Sequence, residues 1–180
     1  MSTPSQTVGP FFACALPYDG GERLVAPDDP GAIRIAGAVL DGDGRPVDDA
    51  LVEIWQANRH GRYRHPDDTR DELPLEDGFT GFGRCATDAE GRFAFVTVKP
   101  GAADGQAPHI AVCVLARGLL RQLWTRIYFP DEQAANAADP LLASIGDPRL
   151  RATLIARPLD GVLAFDIHLQ GDRQTAFLDV

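Results

Sequence analysis

Apolar side chains return at every second position over short runs of this chain, and Gly, Pro and Asp break the runs apart. Residues 32–40 alternate apolar and small positions, and 50–56, 92–98, 109–116, 120–129, 162–169 and 174–178 continue the pattern with β-branched or aromatic residues. A period of two is that of a half-buried β-strand, since successive side chains leave opposite faces. Seven such runs suffice for two packed sheets, so the expected fold is mainly β, a two-sheet antiparallel β-sandwich occupying residues 31–180 as one domain. Asp41-Gly42-Asp43-Gly44 supplies turn chemistry between the first two runs, which predicts that 32–40 and 50–56 form a hairpin-like pair. Two short helices interrupt the strands, at 131–138, with Asp131 near its start, and at 148–155, after Asp147.

Residues 1–30 do not fit this scheme. Gln6-Thr7-Val8-Gly9-Pro10-Phe11-Phe12 is apolar and aromatic, yet Pro4, Pro10, Pro17, Pro27 and Pro30 with Gly20-Gly21 rule out a central strand or a continuous helix. An extended arm that contacts a partner subunit is the economical reading; wrapping over its own core is the alternative.

Charge narrows the range of partners. The 180 residues carry 26 acidic and 17 basic side chains, a formal charge of -9, which repels nucleic acid and anionic membrane surfaces. No apolar run is long enough to span a bilayer, and Met1-Ser2-Thr3-Pro4-Ser5-Gln6 has neither the basic start nor the apolar stretch of a signal peptide. These features predict a soluble, cytoplasmic protein. Cys14, Cys85 and Cys113 make no CxxC spacing, and an odd number does not complete a disulfide framework, so they read as unpaired thiols.

The polar residues that could carry chemistry are Tyr63, His65, His109, Arg117, His168 and the acids. Four scattered histidines give no converging set of three or four ligands. His60 and His65 sit in an Arg- and Asp-rich loop expected to be solvated, and His168 alternates away from the apolar face. In Pro108-His109-Ile110-Ala111-Val112 the side chains of His109 and Ala111 share one face of a strand. A histidine at 111 would complete a metal clamp. Trp55 and Trp124 are expected in the core or at an interface, and no nucleophile elbow, P-loop or dinucleotide fingerprint occurs.

Several segments together are more specific: Thr7-Val8-Gly9-Pro10, the strand end from Val52 through Trp55 to Asn58, Gly61-Arg62-Tyr63, Gly83-Arg84, Lys99-Pro100-Gly101, His109-Ile110, Tyr128-Phe129 and Phe165-Asp166-Ile167. In combination they resemble the intradiol ring-cleaving dioxygenases over nearly the whole chain. The resemblance implies that family's sandwich and a chemistry in which one non-haem Fe(III), held by two tyrosines and two histidines, inserts both atoms of O2 between the hydroxylated carbons of a catechol. Carried over, Tyr63 matches the first tyrosine ligand and His109 the first histidine. Ala111 stands where the second histidine belongs, and the stretch 102–108, where the second tyrosine should lie, is short and has none. Two ligands of four imply a vestigial site and no metal bound by this chain.

The resemblance therefore implies the non-catalytic alpha chain of the family's alpha-beta enzymes, whose beta subunit binds the iron at a cleft walled by both chains. No residue of this chain alone would be catalytic. Thr7, Gly9 and Pro10 of the arm, and Arg117, would line the interface pocket, where a guanidinium can pair with the carboxylate of protocatechuate; the product would be 3-carboxy-cis,cis-muconate. Two other readings remain beside it: a metal-free binding or scaffold module on the same sandwich, and a self-sufficient single-chain catechol dioxygenase, against which the missing ligands argue.

Overall fold

The computed structural model describes residues 3–179. Among these residues nine strands, β1 (Ala32–Leu40), β2 (Leu51–Trp55), β3 (Phe82–Ala86), β4 (Arg92–Val98), β5 (His109–Leu115), β6 (Leu123–Tyr128), β7 (Arg157–Leu159), β8 (Val162–Ala164) and β9 (Ile167–His168), form two sheets, accompanied by four short helices. One sheet runs β4-β1-β8-β7, with β9 also pairing β1; the other runs β3-β2-β5-β6. The second sheet is antiparallel throughout, while β8 and β9 join β1 in parallel.

The core lies between the sheets and follows the period of two. Ile35 and Val39 of β1, Val52 and Ile54 of β2, Phe93 and Phe95 of β4, Ile110, Val112 and Val114 of β5, and Ile127 of β6 all point inward. The intervening residues of β2, β5 and β6 consequently occupy the outer face of the second sheet, and the candidate site is built there. Buried Gln56 ties the two sheets together: its Nε2 donates to the Val98 carbonyl (2.9 Å) and its Oε1 accepts from the Thr97 hydroxyl (2.7 Å).

The structure corrects several sequence expectations. Strands β1 and β2 are not a hairpin pair but belong to different sheets. Asp41 closes the intervening turn, its carboxylate accepting from the Asp43 and Arg45 amides, and the returning chain makes one bridge, Pro46 to Leu40, before crossing over. Strand β1 has no free edge to offer, because β4 pairs one side along 32–38 and β8 and β9 take the other. The run 162–169 is split at Phe165-Asp166, where Asp166 Oδ1 accepts from the Ala38 amide. The chain there crosses so close to β1 that a Cβ on Gly37 would meet the Phe165 carbonyl oxygen at 1.8 Å. Residues 174–178 make a single bridge, Leu178 to Trp124, in place of a strand. The expected helices shorten to α2 (Gln133–Ala138) and α4 (Pro148–Ala152); α1 (Phe12–Ala15) and α3 (Pro140–Ser144) are additions.

In the N-terminal segment Phe12 is buried, while Phe11 is 75% and Val8 41% exposed. Farther along, Leu24 enters the core and Arg23 bridges to Val96 of β4.

Candidate functional site

Four sequence-predicted positions meet in one pocket. Tyr63, the exposed His65, His109 and Ala111 line a cavity of about 790 Å³ on the outer face of the second sheet, together with Trp55, Arg126, Arg70, Asp68 and Asp104. Strand register explains the floor. Ala111 on β5 lies between Trp55 on β2 and Arg126 on β6, and His109 lies opposite Tyr128. Outward alternation places these side chains on the pocket side, with Ile110 and Val112 in the core.

The loop after β2 provides the wall. Asn58, buried, organises it: Oδ1 accepts from the His60 and Arg62 amides, and Nδ2 donates to the Pro74 carbonyl. Gly61, at φ +83°, passes so near Ala102 that a Cβ would meet its carbonyl at 2.1 Å; only glycine combines that backbone with that approach. Tyr63 follows, and its amide donates to Asp68 Oδ2 (2.8 Å). Its ring stacks on Trp55 with centroids 6.0 Å apart and planes 17° from parallel. Trp55 is therefore half-buried pocket wall, not core. The short segment 102–108 turns at Asp104 (φ +53°) and Gly105 (φ +73°), a pair of left-handed residues that makes a tight reversal.

His109 is fixed by its Nδ1, 2.8 Å from the Ala107 carbonyl. A carbonyl only accepts, so Nδ1 carries the proton and Nε2 is left as an acceptor. Burial lowers the His109 pKa, and the nearby Arg126 charge acts in the same direction, so the ring is neutral at neutral pH. Burial raises the phenol of Tyr63 against a smaller opposing pull from Arg126, and pushes that of Tyr128 up to about 12.

The two cations differ. Arg70 is bound by Asp68 (2.5 Å) and reaches Asp104 (3.1 Å). Arg126 donates to Gln106 Oε1 (2.5 Å) and Tyr128 Oη (3.3 Å), with no carboxylate partner among the described residues.

These residues do not fit a ferric ion. Tyr63 and His109 are two donors where a transition-metal site draws on three or four, Ala111 offers none, and the fixed cation Arg126 stands across the ladder from it. Among the described residues no three His, Cys, Asp or Glu side chains are grouped to hold a metal.

The remaining predicted residues are elsewhere. Arg117 is exposed just past the far end of β5 and pairs with Asp49; about 20 Å of strand separates His109 from Leu115, and Arg117 is two residues beyond. Thr7 and Pro10 are exposed on the N-terminal segment, with Gly9 at φ +79°. His60 is exposed and His168 is half-buried on β9. Sequence reasoning missed Trp55, Asp68, Arg70, Asp104 and Arg126 as pocket residues. Alternation within 120–129 does put Arg126 on the face of Trp124 and Tyr128, but only the β5–β6 register brings that face to His109.

A family model described as Dioxygenase matches residues 8–171. The chain is 46% identical to the protocatechuate 3,4-dioxygenase alpha chain of Burkholderia cepacia, covering 99% of this chain and 97% of that one. It is 40% identical to the alpha chain of Pseudomonas putida, over 98% and 96%, and 43% identical to the Burkholderia cepacia beta chain, over 74% and 52%. Among solved structures, the dioxygenase domain of a dioxygenase carbohydrate-binding protein fusion from Streptomyces sp. SirexAA-E superposes with a TM-score of 0.60 at 29% identity, over 94% of this chain and 98% of that one. Catechol 1,2-dioxygenase from Pseudomonas arvilla C-1 gives 0.54 at 27% identity, over 83% and 55%. With its sandwich and its Tyr63, His109 and Ala111 positions gathered on one sheet face, the chain belongs to the intradiol dioxygenase family.

Proposed function

We propose that this chain is the iron-free alpha subunit of a protocatechuate 3,4-dioxygenase, working with a beta subunit that holds the Fe(III). The observation that carries this reading is Ala111. It sits on the ligand-bearing face of β5 beside His109, where a second imidazole would be needed, and Arg126 lies directly across the ladder. Near full-length similarity to two alpha chains supports the same assignment. The reaction would be insertion of both atoms of O2 into protocatechuate, giving 3-carboxy-cis,cis-muconate, at an interface to which this chain contributes Thr7, Gly9, Pro10 and Arg117. The chain 1–30 is the segment that reaches the partner, and Val8 and Phe11 are the apolar surface it has to offer. The acidic charge fits a cytoplasmic enzyme acting on small molecules, without nucleic acid or membrane as partner. No helix among the described residues is long and apolar enough to cross a membrane.

Co-expression with a beta-type chain tests the assignment. The two should co-purify in equal amounts, with one iron per pair and a visible tyrosinate band, while this chain alone is colourless and self-associates. Stoichiometric iron in the chain alone, or a monodisperse chain that ignores every beta-type partner, would overturn it.

A further inference from the structure

The pocket at the vestigial metal position is equipped to bind something other than a metal. Its volume, about 790 Å³, falls within the range of small-molecule sites, which run roughly 300–1,000 Å³. Its chemistry is that of a selective site in three respects.

First, Arg126 lines the pocket as a cation that no carboxylate among the described residues neutralises. The acids at the rim are otherwise engaged: Asp68 and Asp104 flank Arg70, and Asp67, 92% exposed, lies 3.6 Å from His65. Second, Trp55 and Tyr63, stacked nearly parallel, form a flat aromatic wall beside the small Ala111 floor. Third, the Tyr63 hydroxyl and His109 Nε2 have no hydrogen-bond partner among the described residues. One can donate and the other, with Nδ1 committed to Ala107, can only accept.

We propose that this pocket binds a small hydroxylated aromatic carboxylate without any metal. The carboxylate sits on Arg126, the ring lies along the wall of Trp55 and Tyr63, and a ring hydroxyl donates to His109 Nε2. A guanidinium fork is the group suited to a planar carboxylate, and the aromatic wall favours a ring over an aliphatic acid of equal charge. The proposal rests on residues of this chain alone and does not depend on the subunit reading.

The test uses the full-length, iron-free chain and 4-hydroxybenzoate, a probe that lacks the adjacent hydroxyls of a catechol. Binding is followed by calorimetry and by quenching of the two tryptophans, with near-UV circular dichroism confirming that each variant is folded. Saturable binding of one probe per chain is expected. Arg126→Gln should weaken it about tenfold or more, the loss of a charge-assisted pair, and Arg126→Lys should recover part by keeping the charge without the fork. Ala111→Leu should abolish binding by filling the floor, and Arg45→Ala, on the exposed turn after β1, should leave it unchanged. 4-Cresol and cyclohexanecarboxylate, each lacking one recognised group, should bind more weakly than the probe. No saturable binding by the folded chain would overturn the proposal, as would binding undiminished in both Arg126→Gln and Ala111→Leu.

Discussion

Ala111 and Arg126 face each other across the β5–β6 ladder, the first without a ligand atom and the second with a permanent charge. Restoring one ligand therefore does not restore a metal centre. Ala111→His would supply a third donor beside Tyr63 and His109, but the segment 102–108 still lacks a tyrosine and Arg126 would repel a trivalent cation. The variant purified from iron-supplemented cells should remain colourless with well below one iron per chain. The double variant Ala111→His, Arg126→Gln should bind ferric iron more strongly than the single one, measured by metal analysis and visible absorbance. Stoichiometric iron in the single variant would show that charge at 126 is irrelevant to the site.

A second prediction concerns the clamp between the sheets. Gln56→Leu keeps volume but leaves three partners of the buried amide, the Val98 and Ala57 carbonyls and the Thr97 hydroxyl, without it. An orphaned buried polar group costs about 1–3 kcal/mol, so denaturant unfolding should show a loss of at least about 2 kcal/mol. Adding Thr97→Val, which removes one orphan, should return part of that loss. A change under about 0.5 kcal/mol in the single variant would mean that the surroundings relax to satisfy these groups.

The strand periods were legible because the core is read from one face: β1 and β4 begin and end where alternation places them. Pairing was not legible. Alternation reports which face is buried and is silent on which edge meets which, so β1 and β2, adjacent in sequence, were assigned to one sheet and lie in two. Strand β3 was hidden by Gly83 and Arg84, because its inward positions need little side chain where Leu24 packs over Gly83. At the site, Tyr63 and His109 stood out as family ligand positions, whereas Arg126 and Trp55 acquire meaning only from cross-strand register.

The wall of the pocket should respond to acid. Arg70, hydrogen-bonded to Asp68, together with the Tyr63 amide, holds the Asp68 carboxyl well below the usual carboxylate range. The folded state thus favours the ionised form, and the resulting stability is present above the unfolded value of about 3.9. It is lost as pH falls from there toward the folded value. Asp68→Ala, which cannot titrate, should melt below wild type at pH 7, with the gap narrowing progressively below about pH 4. A gap independent of pH would assign the effect to packing instead of charge.

Arg117 separates a pocket-forming subunit from a scaffold. Its side chain is 70% exposed and pairs with Asp49, a surface ion pair of small worth, so Arg117→Ala should alter stability by no more than about 0.5 kcal/mol. If the guanidinium meets the substrate carboxylate in the assembled enzyme, its removal eliminates a charge-assisted contact of about 1.5–3 kcal/mol. Exposure and competition from Asp49 place the effect at the lower end, roughly a tenfold fall in kcat/KM for protocatechuate. Catechol, which has no carboxylate, should lose little. Steady-state kinetics of the complex on both substrates, with iron content checked, distinguishes the cases: equal losses indicate a structural role, and no loss on either removes Arg117 from the site. Asp49→Ala sharpens the test, because releasing the guanidinium from its surface partner should leave protocatechuate turnover intact or improved.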